Sequence, residues 1–493
     1  MTEAIRVLFT AAEAAPFITA GGLGEVAYAL PKALSQLDNS DPKSRVDVRL
    51  VIPAYPFVDY MAYSPTKIAE FQINRNSGSE TASVLHIRLD NTLDVYLVEG
   101  KPIDQAGNTV YAFDAAQDGE KFTFFSLAAV QMAREINWPL DILHANDWHT
   151  APAVYWLAQN RGLAPFYAHT ASVLCVHNLP YMGDGAGPAM NDFRLAASTD
   201  TQLPKWSREM PLPLGLSTAD QIVAVSPGYS QEILTTAFGA GLSEYLNTRA
   251  ESITGILNGI DTDLWNPAAD PTIIQKFDVN SINLRRKNKR ALQEMYGLTP
   301  DSDSPLITMI TRFDHQKGVD LALDALLQIA DQPWQAVLMG SGHPDLENAA
   351  ARLEKILPGR VRALIYYDKD ASRQLYAGSD MVLIPSRYEP CGLNQMIAMR
   401  YGCIPVARNT GGLRDTIEDY TLSEFSTGFL FQEATPEALA GAVRRALYVF
   451  RHPESWNAMQ VRGMEKDFSW KNSALQYEKL YRDTLKRFRK EQK

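Results

Sequence analysis

The chain has only three cysteines among its 493 residues, Cys175, Cys391 and Cys403, and none stands in a C-x-x-C pair. That excludes a disulfide framework and a structural zinc site, and reduced thiols in a cytoplasmic protein are expected. Long apolar runs are lacking too. The longest window without a charge, 162–183, contains Pro165, His169, Asn178 and Tyr181 and cannot span a bilayer. Glu3 and Glu13 flank an apolar run of only a few residues, which is not the pattern of a signal peptide. Positive charge is in deficit: 47 Lys and Arg face 57 Asp and Glu, a formal net charge of −10. No basic stripe is visible, so neither nucleic acid nor membrane is an expected partner. With 46% hydrophobic and 21% charged residues the chain is globular, and its length calls for two domains or three.

Strand-like runs alternate with helix-like segments. Residues 5–10 precede a glycine loop and a helix with Leu23, Val26, Ala27, Leu30 and Leu34 at helical spacing. Further strands are expected at 47–53, 93–98, 141–144, 172–176 and 221–225, with a helix over 120–134. This order predicts an α/β fold, a parallel sheet with helices on both faces. Turn formers crowd 258–270, and 276–289 is polar and rich in Lys and Arg, so a domain boundary is expected there. The pattern then restarts, with strands at 306–310, 336–339, 361–365, 381–384 and 404–407. From Trp470 onward Tyr477, Leu480, Tyr481 and Leu485 share one helix face. The expected division is 1–265 and 266–465, two Rossmann-like domains, followed by a helix over 466–493.

Gly21, Gly22 and Gly24 lie between a strand and a helix, where amides and the helix dipole can face an anion or sugar hydroxyls; a tight structural turn is the other reading. Thr410-Gly411-Gly412-Leu413 repeats this feature in the second half. In doubly wound domains both loops would sit at the ligand-binding carboxyl ends of strands. Arg312 and Lys317 follow strand 306–310 and fit either a diphosphate clamp or a solvated loop. Glu389, in Ser386–Gly392 after strand 381–384, can accept hydrogen bonds from sugar hydroxyls or complement a helix dipole. Cys391 reads as loop packing, with no histidine near it in sequence. Asn146-Asp147-Trp148-His149 and Val176-His177-Asn178 each end an apolar strand with polar groups, serving a site or satisfied structurally. Asp261/Asp263, Asp301/Asp303 and Asp368/Asp370 match the D-x-D letters of metal-dependent sugar transferases, but such short matches arise by chance. Arg312 and Lys317 could neutralise a leaving diphosphate, so no metal and no cofactor are expected.

The segments AAEAAPFITAGGLGEV, DVRLVIPAYP, LHANDWHTAP, CVHNLPYMG, AVSPGYSQEI, GILNGIDTDLWNP, TRFDHQKGVDL, PSRYEPCGLNQMIAMRYGCIPVARNTGGL and DFSW together cover most of the chain. They resemble the bacterial glycogen synthases and plant starch synthases, retaining glucosyltransferases of the glycosyltransferase B fold. The resemblance implies two Rossmann-like domains facing a cleft, acceptor-side first and nucleotide-sugar-binding second, with the C-terminal helix crossing back to the first. It implies transfer of glucose from ADP-glucose to the non-reducing 4-hydroxyl of an α-1,4-glucan (glycogen or maltooligosaccharide), with retention. On that resemblance His177, Arg312, Lys317 and Glu389 are catalytic, Arg312 and Lys317 holding the diphosphate and Glu389 the glucosyl hydroxyls. Gly21, Gly22, Asn258, Tyr367, Cys391, Gly392, Leu393, Thr410, Gly411 and Gly412 bind the donor, Tyr367 stacking on adenine and Gly411 and Gly412 giving amides to the diphosphate. Glu13, Tyr55, Asp147 and His149 lie on the acceptor side. Assembly into a homo-oligomer is allowed. Three positions depart from the family pattern: Thr19 and Pro213 stand where lysines are usual, and Ile397 replaces a glutamate that synthases of this type commonly lack. Thr19 and Pro213 leave two alternatives: use of UDP-glucose or a small acceptor, and a weakly active glucan-binding homologue.

Overall fold

The computed structural model describes residues 4–37, 45–105, 107–301 and 303–491. They form two compact units, one running through Gly259 and resuming at Trp470, the other spanning Ile260–Ser469. The boundaries expected at 265 and 465 therefore move to 259 and 469. The Ile260 amide donates to the Phe468 carbonyl at 2.8 Å inside the second unit, whereas Ser473 Oγ donates to the Leu257 carbonyl at 2.6 Å inside the first. The turn-rich stretch after Leu257 is thus divided between them.

The first unit holds β1 (Ile5–Thr10), β2 (Val46–Pro53), β3 (Thr66–Arg75), β4 (Gly78–Leu89), β5 (Leu93–Glu99), β6 (Ile142–Asn146), β7 (Ala171–Val176), β8 (Gln221–Ala224) and β9 (Ile253–Gly255). Their order in one sheet is β3-β4-β5-β2-β1-β6-β7-β8-β9. Strands β6 and β7 are buried at every residue, as parallel strands covered on both faces must be. The sheet is nonetheless mixed, because β3 and β4 form an antiparallel hairpin that continues antiparallel onto β5. An all-parallel sheet was the expectation. β3 escapes a search for apolar runs because it is an edge strand that buries only Phe71 and Ile73.

The second unit holds β10 (Leu306–Ile310), β11 (Gln335–Met339), β12 (Val361–Leu364), β13 (Met381–Ile384), β14 (Ile404–Arg408) and β15 (Phe429–Phe431), all parallel, in the order β12-β11-β10-β13-β14-β15. Strand order reverses between β1 and β6 in one sheet and between β10 and β13 in the other, and such switch points open a crevice at the carboxyl ends. The basic stretch 276–289, where a domain boundary was expected, is instead partly the helix Arg285–Met295, packed in this unit. Buried Lys289 pairs with Asp380 at 2.8 Å, and Arg285 Nη2 donates to the Ser379 carbonyl at 2.6 Å. Buried charge is tolerable only when matched in this way.

The closing helix, Trp470–Glu491, packs in the first unit against the helix Gly22–Ser35 and against β7. Tyr477 and Tyr481 are fully buried, and the Tyr481 hydroxyl lies 2.7 Å from His144 Nδ1 on β6. Among the described residues no helix is long and apolar enough to cross a membrane.

Candidate active site

Beside the β1/β6 switch, the loops after β1, β6 and β7 converge. Glu13 follows β1, and its carboxylate accepts the amides of Ala20 and Gly21, the latter at 3.1 Å, and the Tyr111 hydroxyl at 3.0 Å. The glycine loop therefore faces an internal carboxylate. At Gly24 a Cβ would lie 3.1 Å from Glu13 Oε2 and 3.0 Å from Thr19 Cα, whereas at Gly22 it would meet open space. Asp147 opens the helix Asp147–Asn160 with φ +55°, a left-handed conformation uncommon outside glycine. Its Oδ1 accepts the amides of His177 at 2.7 Å and Asn178 at 3.3 Å, which ties the loop after β6 to the loop after β7. His177 Nε2 lies 2.8 Å from Asn146 Oδ1.

Burial dominates the electrostatics of this edge. It raises the Asp147 carboxyl above its usual range, against the pull of His177 and of two amides. It raises Glu13 as well, where hydrogen bonds from Ala20, Tyr111 and Gly21 oppose it and the Asp147 charge adds to it. The His177 imidazole is made less basic by burial, with Asp147 opposing. His149 is pushed down to about 3 by burial, helped by Lys121 and His177.

Not every residue expected on this edge reaches it. Tyr55 is 1% exposed and its hydroxyl donates to the Ala12 carbonyl at 2.6 Å, so it braces the turn before Glu13. His149 packs edge-on against Phe122 at 4.7 Å and beside Tyr111 at 5.1 Å, inside an aromatic cluster. Asn258 is buried beyond the end of β9, and its Oδ1 has no partner among the described residues. Thr19 is exposed on the glycine loop, while Pro213 is buried in the helix Pro211–Thr218. Tyr111 was not anticipated. Its segment is held by buried Lys121, which donates to the Val110 carbonyl at 2.6 Å, and by Asp118, which accepts the Ala112 amide at 2.9 Å.

At the carboxyl edge of the second sheet, Lys317 Nζ lies 2.9 and 2.7 Å from the two Glu389 oxygens. Ser386 Oγ donates to Glu389 Oε2 at 2.8 Å, and Arg387 grips Asp320 with two bonds of 2.9 and 2.7 Å. The loop after β13 is thereby fixed to the turn after β10. Arg312, its side chain two-thirds exposed, stands 3.3 Å from Asp314. The two cations are thus each matched to a carboxylate and do not form a bare clamp.

Gly411 has φ +42°, and a Cβ there would sit 2.1 Å from the Glu389 carbonyl; at Gly412 it would sit 2.0 Å from the Cys391 carbonyl. The Gly412 amide, expected to serve a diphosphate, donates to the Glu389 carbonyl at 3.1 Å and so braces that loop. Thr410 precedes the turn and is buried, as is Cys391. Gly392 turns the chain at φ +71° into Leu393, the cap of the helix Asn394–Arg400. Tyr367 lies after β12, 61% exposed. The D-x-D pairs are local turn devices: Asp261 accepts the Asp263 and Leu264 amides, Asp301 the Asp303 amide, and Asp368 caps the helix Lys369–Gly378. Among the described residues no group of three His, Cys, Asp or Glu could hold a metal ion.

The starch synthase catalytic domain family matches residues 6–248, and the family of glycosyl transferases group 1 matches residues 294–457. The glycogen synthase of Aromatoleum aromaticum is 39% identical, covering 97% of this chain and 96% of its own. That of Syntrophotalea carbinolica is 37% identical, covering 98% and 99%. Among solved structures, the catalytic domain of starch synthase IV from Arabidopsis thaliana bound to ADP and acarbose gives a TM-score of 0.87 at 31% identity, covering 98% of this chain and all of that one. Sucrose-phosphate synthase from Thermosynechococcus elongatus, at 19% identity and TM-score 0.60, shares the fold.

Proposed function

The chain belongs to the glycogen and starch synthase family of glucosyltransferases, and from that premise we propose that it transfers glucose from ADP-glucose to the non-reducing 4-hydroxyl of an α-1,4-glucan with retention. The observation that carries this reading is the Lys317–Glu389–Ser386 constellation beside the β10/β13 switch. As the glycosidic bond to the nucleotide breaks, the anomeric carbon becomes cationic and the diphosphate gains negative charge. Preorganised cations stabilise that developing charge more than they stabilise the ground state. Lys317 and Arg312 fill this role. A diphosphate competes with Glu389 for the Lys317 ammonium, which frees the carboxylate to accept hydrogen bonds from sugar hydroxyls. On the first unit, Glu13 and Asp147 face the glucan and His177 the reacting sugar. The starch synthase relative, bound to ADP and acarbose, supports both the nucleotide and the glucan class.

The test is incorporation of labelled glucose from ADP-glucose and from UDP-glucose, on glycogen and on maltose. ADP-glucose with glycogen is expected to be fastest, and Lys317→Ala or Glu389→Ala to lower transfer about 10²- to 10³-fold. Unchanged incorporation in both variants, or faster turnover with UDP-glucose, overturns the assignment. With fixed cations neutralising the leaving group, chelator-treated protein keeps its turnover.

A further inference from the structure

We propose that Asn146 is a positioning residue that locks the His177 imidazole as its Nε2–H tautomer, leaving Nδ1 to accept a hydrogen bond from a sugar hydroxyl. The hydroxyl rests on the transferase reading; the tautomer does not.

The two ends of an asparagine amide are told apart by their neighbours. One end of Asn146 lies 2.9 Å from the Thr10 carbonyl, which can only accept, so that end is the NH₂. The other end is then the oxygen, 2.8 Å from His177 Nε2. An amide oxygen only accepts, so Nε2 must carry the proton. Asn146 cannot turn to satisfy a different tautomer without losing the bond to Thr10. Its backbone is held as well: Thr150 Oγ1 accepts the Asn146 amide at 2.6 Å and donates to its carbonyl at 2.9 Å. Thr10 is the last residue of β1, paired with β2 on one side and β6 on the other. The polarity of the imidazole is therefore set by the centre of the sheet.

Burial keeps the ring neutral. The groups facing it are Asp147, which binds the His177 main-chain amide, and His144 and His149, both pushed down to about 3 and uncharged near neutral pH. No hydrogen bond from the described residues reaches Nδ1. A lone pair there welcomes a hydroxyl and repels a group that can only accept, such as the carboxylate of a uronic acid, which favours a neutral sugar.

The experiment uses the full chain labelled with ¹⁵N at histidine. Two-bond proton–nitrogen spectra give the protonation of each ring nitrogen, and His177 is assigned by the signals missing in His177→Gln. The wild type at neutral pH is expected to show a protonated Nε2 and a bare Nδ1; a protonated Nδ1 overturns the proposal. In Asn146→Asp a carboxylate replaces the amide and favours the imidazolium, so the His177 pKa is expected to rise by about 1–3 units. Transfer at pH 7 should fall about 10-fold and recover as the pH is raised through the new pKa. A pKa that does not move, or a loss that pH does not rescue, overturns the proposal. Should Asn146→Asp fail to fold, the wild-type spectra decide alone. A wild type with the Nε2–H tautomer but no glucosyl transfer leaves the positioning role standing and removes the transferase reading.

Discussion

Asp147 bears two penalties at once, a left-handed backbone at φ +55° and a buried carboxyl beside Glu13. Its raised pKa means that ionisation costs stability: the cost is absent below the usual value of 3.8 and complete once the pH has passed the folded value. At neutral pH, Asp147→Asn removes the charge, keeps an oxygen for the His177 and Asn178 amides and suits the left-handed backbone. This variant is expected to melt about 2–4 °C higher while losing transfer; a lower melting temperature would contradict the burial argument. The buried histidines run the other way. His144 and His149 stay neutral to about pH 3 when folded, yet titrate at their usual 6.5 when unfolded. Stability is full above 6.5 and falls as pH drops below it, by up to about 1.4 kcal/mol per pH unit for each histidine. His144→Phe should flatten the decline of the urea midpoint between pH 7 and 5. Asp147 and His177 were legible in the sequence because each follows an apolar strand, where a parallel sheet gathers its ligands. Tyr111 was not, because its bond to Glu13 joins residues 98 apart through a loop whose path no periodicity announces.

The two Gly-Gly turns read alike as letters and differ as elements. Gly412 lies against the Cys391 carbonyl, so Gly412→Ala should destabilise the second unit by about 1–3 kcal/mol, seen as an earlier thermal transition. Gly22 has open space around its missing Cβ, so Gly22→Ala should change stability by less than about 0.5 kcal/mol; a loss of transfer without a loss of stability would mark close approach of substrate to that amide. Most parallel strands were readable because burial on both faces leaves continuous apolar runs, as in Ala171–Val176, whereas the three-residue edge strands β9 and β15 are too short to form such a run and were missed. The β3–β4 hairpin was hidden by its wet face. The helix Arg285–Met295 was hidden by composition: it buries Arg285, Asn288 and Lys289 through specific partners rather than through an apolar stripe.

For the molecule as a whole, the decisive fact is that the first unit is built from both ends of the described chain, with the second inserted between Gly259 and Trp470. The segment 470–491 supplies Tyr477 and Tyr481 to the first core and, through Ser473, a bond to Leu257. Deleting 470–493 is therefore expected to abolish the cooperative melting of the first unit while leaving a protease-resistant fragment close to 260–469. Survival of both units after the deletion would show that the closing helix is dispensable. The sequence suggested a helix there with Tyr477 and Tyr481 on one face, and the family resemblance, not local pattern, implied its return to the first unit, where it packs. Because a ribosome delivers residues in order, the half begun first is completed last, only after the whole of its neighbour and the 22 residues of the closing helix have been made. A nascent chain halted before residue 470 holds no finished first half, so glucan extension begins only with molecules whose translation has passed that point.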